Sequence, residues 1–130
     1  MPDSIINQAM SAVKGMAEAL DLFVPICFAP LGPDAGISMA LSPGNPPTYH
    51  LDRRCEVRLS LVLNAKHRDM KLVSNTLHHI HDSLARAEVY PRTDDWQITH
   101  ITTESLPELI EREADGMWLF ASSLTVTLYY

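Results

Sequence analysis

The stretch MWLFASSLTVTLY, residues 117–129, has the clearest alternation of apolar and polar side chains in this 130-residue chain. Apolar side chains recur at every second position from Trp118 to Tyr130, interrupted by Ser122, and mostly Ala, Ser and Thr lie between them. Successive side chains of a strand point to opposite faces of a sheet, so this period of two predicts a half-buried β-strand. We expect Ser122 to fill a tight space on its core face.

The chain upstream predicts two helices and a further strand. Residues 56–64, EVRLSLVLN, alternate in the same way and predict a strand. Apolar residues at helical spacing predict one helix over 4–21 and another over about 68–87, the second with His81 near the edge of its apolar stripe. Residues 22–52 are rich in proline and predict only a weak hairpin, followed by a loop; Pro25 confines its first strand to a sheet edge or a bulge.

Another strand is predicted over about 95–104, where the apolar phase slips between Ile98 and Ile101. Such a slip indicates a bulge or burial on both faces. The order of elements predicts an α+β fold, in which an antiparallel or mixed β-sheet carries both helices on one face. We expect one domain over residues 1–130 because the length is ordinary for a single domain.

Composition excludes several classes of protein. The chain is 46% apolar, which is typical of a globular protein, and its net charge is -6, which argues against gripping nucleic-acid phosphates. No apolar run approaches the roughly 18 residues of a membrane span, and the N-terminus lacks a basic flank and a long apolar core. Cys27 and Cys55 match no metal or redox spacing, so we expect reduced core thiols in a cytosolic protein.

An acidic segment, ESLPELIEREADGMW, spans residues 104–118 between the last two predicted strands. We expect a loop there, with a short helical turn over 106–112 because Pro107 suits a first helical position. Long loops in small domains are usually functional or disordered. Three roles stay open: repelling DNA phosphates along a channel, meeting basic groups of a partner, or a solvated loop with no role.

The motif LHHIH places His78 and His81 one helical turn apart, where they could share a metal ion. A site needs a third ligand, and the sequence pattern supplies none. We therefore favour solvated or interface histidines and keep the pair as weak metal candidates. No catalytic constellation is found, so the sequence predicts a protein that is not an enzyme and has no cofactor.

Four segments of the second half carry a resemblance to a known family. They are LSLVLNAKHRD at 59–69, IHDSL at 80–84, YPRTDDWQI at 90–98 and ITTESLPELIEREADGMWLFASSLTV at 101–126. Together they resemble the minor capsid proteins of long-tailed bacteriophages and prophages, which are similar in turn to phage tail terminators. Arg112 and Glu113 match the Arg-Glu pair of the family pattern, and Trp118 matches its aromatic residue. Glu111 stands where that pattern often has glycine.

The resemblance implies a virion protein with a tail-terminator-like α+β fold, assembled in the cytoplasm of a bacterial host. It implies a homo-oligomer, a hexameric ring that caps the tail tube protein and meets head-tail connector proteins. DNA would pass through this ring without specific binding, and no membrane is involved. The residues we expect at interfaces all lie in the acidic segment or beside it: Glu108, Glu111, Arg112, Glu113, Asp115 and Trp118.

Two alternatives remain from the sequence. One is another neck or head-completion minor capsid protein of similar fold. The other is a small α+β ligand-binding module that uses the His-rich helix as its ligand surface.

Overall fold

A computed structural model describes residues 4–42, 48–49, 51 and 54–130. As predicted, the fold is α+β, and its helices and strands bury a shared apolar core. None of the described helices has the length and hydrophobicity needed to cross a membrane. The elements are α1 (Ile5–Glu18), β1 (Ile26–Cys27), β2 (Gly36–Ser42), β3 (Thr48–Tyr49), β4 (Cys55–His67), α2 (Met70–Ala85), β5 (Gln97–Arg112) and β6 (Trp118–Tyr129).

The strands of the described residues form one six-stranded mixed sheet in the order β1-β2-β4-β6-β5, with β3 paired to β4. β4 and β6 pair along their whole length, from Glu56 with Tyr129 to His67 with Trp118. The predicted hairpin within residues 22–52 is wrong, because β1 pairs with β2 in parallel. Residues 28–35 carry the chain back to the same end of the sheet. Of the two positions predicted from Pro25, an edge or a bulge, the structure shows the edge, since β1 is a terminal strand.

The core lies between the sheet and the two helices. Each helix begins at a capping side chain: Ser4 accepts a hydrogen bond from the backbone N–H of Asn7, and Asp69 accepts from Lys71 and Leu72. The predicted helix stripes are confirmed for most of the buried helical residues, but Ala9 and His81 are buried as well and are not members of the predicted stripes. The buried helical residues are Ala9, Met10, Val13 and Ala17 on α1, and Val73, Leu77, Ile80, His81 and Leu84 on α2.

The predicted loop over residues 104–118 is wrong for most of its length, because β5 continues to Arg112 and only 113–117 form the turn into β6. The predicted helical turn over 106–112 is therefore also wrong. β5 is the terminal strand of the sheet, and its second half is exposed, so its side chains need no alternation. Pro107 is tolerated because an edge strand has one side without a pairing partner. The predicted bulge near Ile98 is confirmed by a shift in register between Ile98 and His100.

The two cysteines differ in their surroundings. Both are free thiols. Cys55 is buried, as predicted, whereas the prediction of a core thiol at Cys27 is wrong because its side chain is exposed. β1 is an edge strand that buries Ile26, so the next side chain along points away from the core.

Candidate interaction surface on the edge strand

The second half of β5 exposes large apolar side chains. Ile98 and Ile101 in the first half are 1% exposed, but Leu106 is 65% exposed, Leu109 46% and Ile110 50%. We call Leu106, Leu109 and Ile110 the edge patch. Exposed apolar side chains that cluster among polar ones are typical of protein interaction sites.

The edge patch offers a partner its side chains, and few backbone N–H and C=O groups that are free to pair with another strand. The pairing of β5 with β6 shifts register at four places between Ile98 and Glu111, and Pro107 has no N–H to donate. Bulges, proline and charged residues are the features that protect edge strands from pairing with another strand. A partner of this surface is therefore expected to bind by packing against side chains rather than by extending the sheet.

Two predicted site residues flank the edge patch. Glu108 pairs with Ala121 and Glu111 pairs with Leu119 across β6, so both glutamates lie on the sheet face away from the helices. Both are exposed, and within the described part of the chain neither forms an ion pair. Glu104, one bulge earlier, accepts a hydrogen bond of 3.1 Å from the Ser60 hydroxyl. Leu109 pairs with the buried Phe120 and therefore lies on the helix face, so this edge carries apolar side chains on the helix face and acidic ones on the other.

Other predicted site residues stabilise the end of the hairpin. The Arg112 guanidinium lies 4.9 Å from the ring centroid of Trp118, which is a cation–π distance. The Lys66 ammonium is buried and lies 3.2 Å from a Glu113 carboxylate oxygen. Arg112, Glu113 and Trp118 therefore have partners within the chain. No pattern in the sequence marks Lys66 as one of these partners.

The turn between β5 and β6 is ordered by hydrogen bonds. The Asp115 side chain accepts from the Met117 backbone N–H at 3.1 Å, and the Glu113 carbonyl accepts from the Gly116 N–H at 2.9 Å. Gly116 has φ +89°, a conformation that L side chains rarely adopt. Asp115, another predicted site residue, is thus a turn residue that fixes the direction of the hairpin.

His81 connects α2 to both strands of the hairpin. Its Nδ1 lies 3.1 Å from the Thr103 hydroxyl, and its Nε2 lies 2.7 Å from the Ser122 hydroxyl. Burial, and then the charge of His78, lowers the pKa of His81 to about 4. The predicted boundary position of His81 is wrong, since the residue is 3% exposed. Ser122 is buried on the core face as predicted, and it fills that position as the partner of His81.

An open pocket of about 420 Å³ lies beside His81, lined also by His78, His79, Thr103 and Leu106. Both ring nitrogens of His81 already have hydroxyl partners, so the ring offers no free nitrogen to a metal ion or a substrate. The described residues contain no group of three or more His, Cys, Asp or Glu side chains placed to hold a metal. The metal alternative for His78 and His81 thus gains no support.

Comparison with known proteins adds a likeness of fold. No family model matches the sequence, and no curated protein matches it. The structure is similar to a chain of a solved structure described as the virion of a native gene transfer agent (GTA) particle. The TM-score is 0.69, the identity is 14%, and the match covers 98% of this chain and 100% of that chain. The two chains therefore share one fold over essentially their whole lengths.

Proposed function

We propose that this protein is a structural subunit of a phage-like virion, a tail terminator that forms a ring on the tail tube at the head-tail junction. The observation that carries the proposal is the fold shared from end to end with a chain of the gene transfer agent virion. The resemblance of segments within residues 59–126 to minor capsid proteins, which are similar in turn to tail terminators, is independent support because it rests on sequence patterns alone.

The surface supports an assembly role better than a catalytic one. The edge patch offers an apolar surface for a protein partner, and the glutamates of the same edge strand repel nucleic-acid phosphates. His81, the described residue with the strongest shift in pKa, has both ring nitrogens held by hydroxyl groups of the chain, so neither is free for chemistry in the pocket beside it. The proposed partners are further copies of the chain, tail tube protein and head-tail connector proteins.

Deletion of the gene in cells that produce the particle tests this role. A missing terminator leaves tube polymerisation unchecked, so we expect tails that are longer and more variable in length than normal and that do not join filled heads. Electron microscopy of the lysates measures tail length and attachment. The wild-type gene supplied in trans should restore both.

The alternatives give different particles. Tails of normal length beside unattached heads would contradict the terminator role and favour a neck or head-completion protein. Normal, joined particles would contradict any required role in the virion and favour the ligand-binding module.

A further inference from the structure

A second exposed apolar surface lies on the opposite edge of the sheet from β5. A groove of about 420 Å³ runs between α1 and β2, and its lining includes Met10, Ser11, Phe28 and Leu41. Phe28 is 45% exposed and Leu41 is 40% exposed, so apolar surface in this groove is accessible. We call it the α1–β2 groove.

The strand order separates the two surfaces. β5 ends the sheet on one side, and β1 and β2 end it on the other, so the edge patch and the α1–β2 groove lie on opposite flanks of the subunit. Subunits joined head to tail into a ring need two different surfaces that fit each other. A ridge of aliphatic side chains on one flank and an apolar groove on the other satisfy that requirement.

Charge favours this pairing over contact between two identical edges. Two edge patches related by a twofold axis would bring Glu108 and Glu111 close to their own copies, and like charges across an interface are unfavourable. The α1–β2 groove instead has Lys14 beside it, with its ammonium 5.6 Å from the Phe28 ring centroid. Lys14 lies 3.2 Å from Glu18, in a partly exposed pair that leaves its ammonium accessible to a further carboxylate.

We propose that the edge patch of one subunit docks into the α1–β2 groove of the next copy, with Glu108 and Glu111 directed toward the side of Lys14. This inference rests on the proposed function, because it assigns the contact that would close the ring. Docking through side chains also explains two features of β5 together: bulges and Pro107 protect its backbone from pairing with another strand, yet the edge patch stays apolar and exposed.

Matched arginine substitutions test the two surfaces separately. Ile110→Arg alters the edge patch, Leu41→Arg alters the α1–β2 groove, and Val89→Arg is the control at a residue that is 81% exposed and belongs to neither. We expect wild type and the control to form rings. Each of the other two variants should form at least tenfold fewer rings than wild type. Light scattering measures the mass of each variant in solution. If rings form only on tail tubes, the measurement is repeated after tail tube protein is added. Melting curves confirm that each variant is folded.

Cross-linking identifies which surfaces meet. In a Cys27→Ser background, a chain with both Ile110→Cys and Leu41→Cys is treated with a short bismaleimide. We expect a ladder of covalent oligomers from this double variant and none from either single variant, because the two cysteines lie on different subunits at each contact. Buried Cys55 is expected not to react.

The outcomes separate the two proposals. Rings from Ile110→Arg or Leu41→Arg at the wild-type level, or cross-linked pairs from Ile110→Cys alone, would overturn the docking contact and leave the ring itself intact. A wild-type chain that stays monomeric both alone and with tail tubes would overturn the proposed function, and the docking contact with it.

Discussion

Between pH 7 and pH 4, the ionisation of His81 is expected to lower the free energy of unfolding by about 2–3 kcal/mol. The pKa of this buried imidazole falls from 6.5 in the unfolded chain to about 4 in the fold. The folded state therefore keeps His81 neutral while the unfolded chain takes up a proton below pH 6.5. The contribution is complete above pH 6.5 and is lost as the pH falls toward 4.

Urea unfolding at pH 7 and pH 4 measures this contribution by comparison with His81→Gln. Glutamine keeps a donor and an acceptor for Thr103 and Ser122 but does not ionise in this range. We expect the variant to be less stable than wild type at pH 7, and the difference to shrink or reverse by about 2–3 kcal/mol at pH 4. His79→Gln, at an exposed neighbouring position, is the matched control and should keep the wild-type pH dependence. Equal pH dependence in His81→Gln and wild type would contradict the buried neutral imidazole.

Removing the carboxylate partner of Lys66 is expected to cost about 2 kcal/mol, because Glu113→Ala leaves a buried ammonium without its counter-charge. The Lys66 side chain is 6% exposed and the Glu113 side chain is 28% exposed. Lys66→Met should cost less, about 1 kcal/mol, since the remaining Glu113 carboxylate reaches water and a hydrophobic side chain fills the buried site. The double variant should then be close to Lys66→Met alone.

A double-mutant cycle by urea unfolding gives the coupling between the two residues, expected at about 1–2 kcal/mol. The exposed pair of Arg86 and Asp82, with its ion-pair atoms 3.0 Å apart, is the control. Its coupling should be at most about 0.5 kcal/mol, because exposed pairs are screened by water. Additive effects of the Lys66 and Glu113 substitutions would show that the buried contact does not stabilise the hairpin.

The parts of the fold that could be predicted are those whose side chains pack on the core. β6, β4 and both helices each bury a periodic set of apolar residues, so their patterns are strong. The second half of β5 pairs by its backbone with β6 but buries almost no side chain, and it carries Pro107 and several glutamates. Backbone pairing without burial leaves no periodic signal, so the sequence predicts a loop for this half of β5.

The sequence predicts only part of the candidate surface. The sequence pointed to residues 104–118, but it selected charges such as Arg112 and Glu113, whose partners lie within the chain. Leu109 and Ile110 are not among the predicted site residues, because the sequence predicts a loop there and not an edge strand that exposes them. The break in the core face at Ser122 was the one signal of a buried polar partner, and that partner, His81, lies 41 positions away in the chain.

Light scattering of the purified protein, with negative-stain images of the same sample alone and after addition of tail tube protein, tests the ring most directly. The account predicts a closed ring of mass about 87 kDa, six times the 14.5 kDa of one chain, either free or on the ends of tubes whose growth it stops. A chain that remains a monomer in both samples, while the tubes grow to the same lengths as without it, would contradict the account.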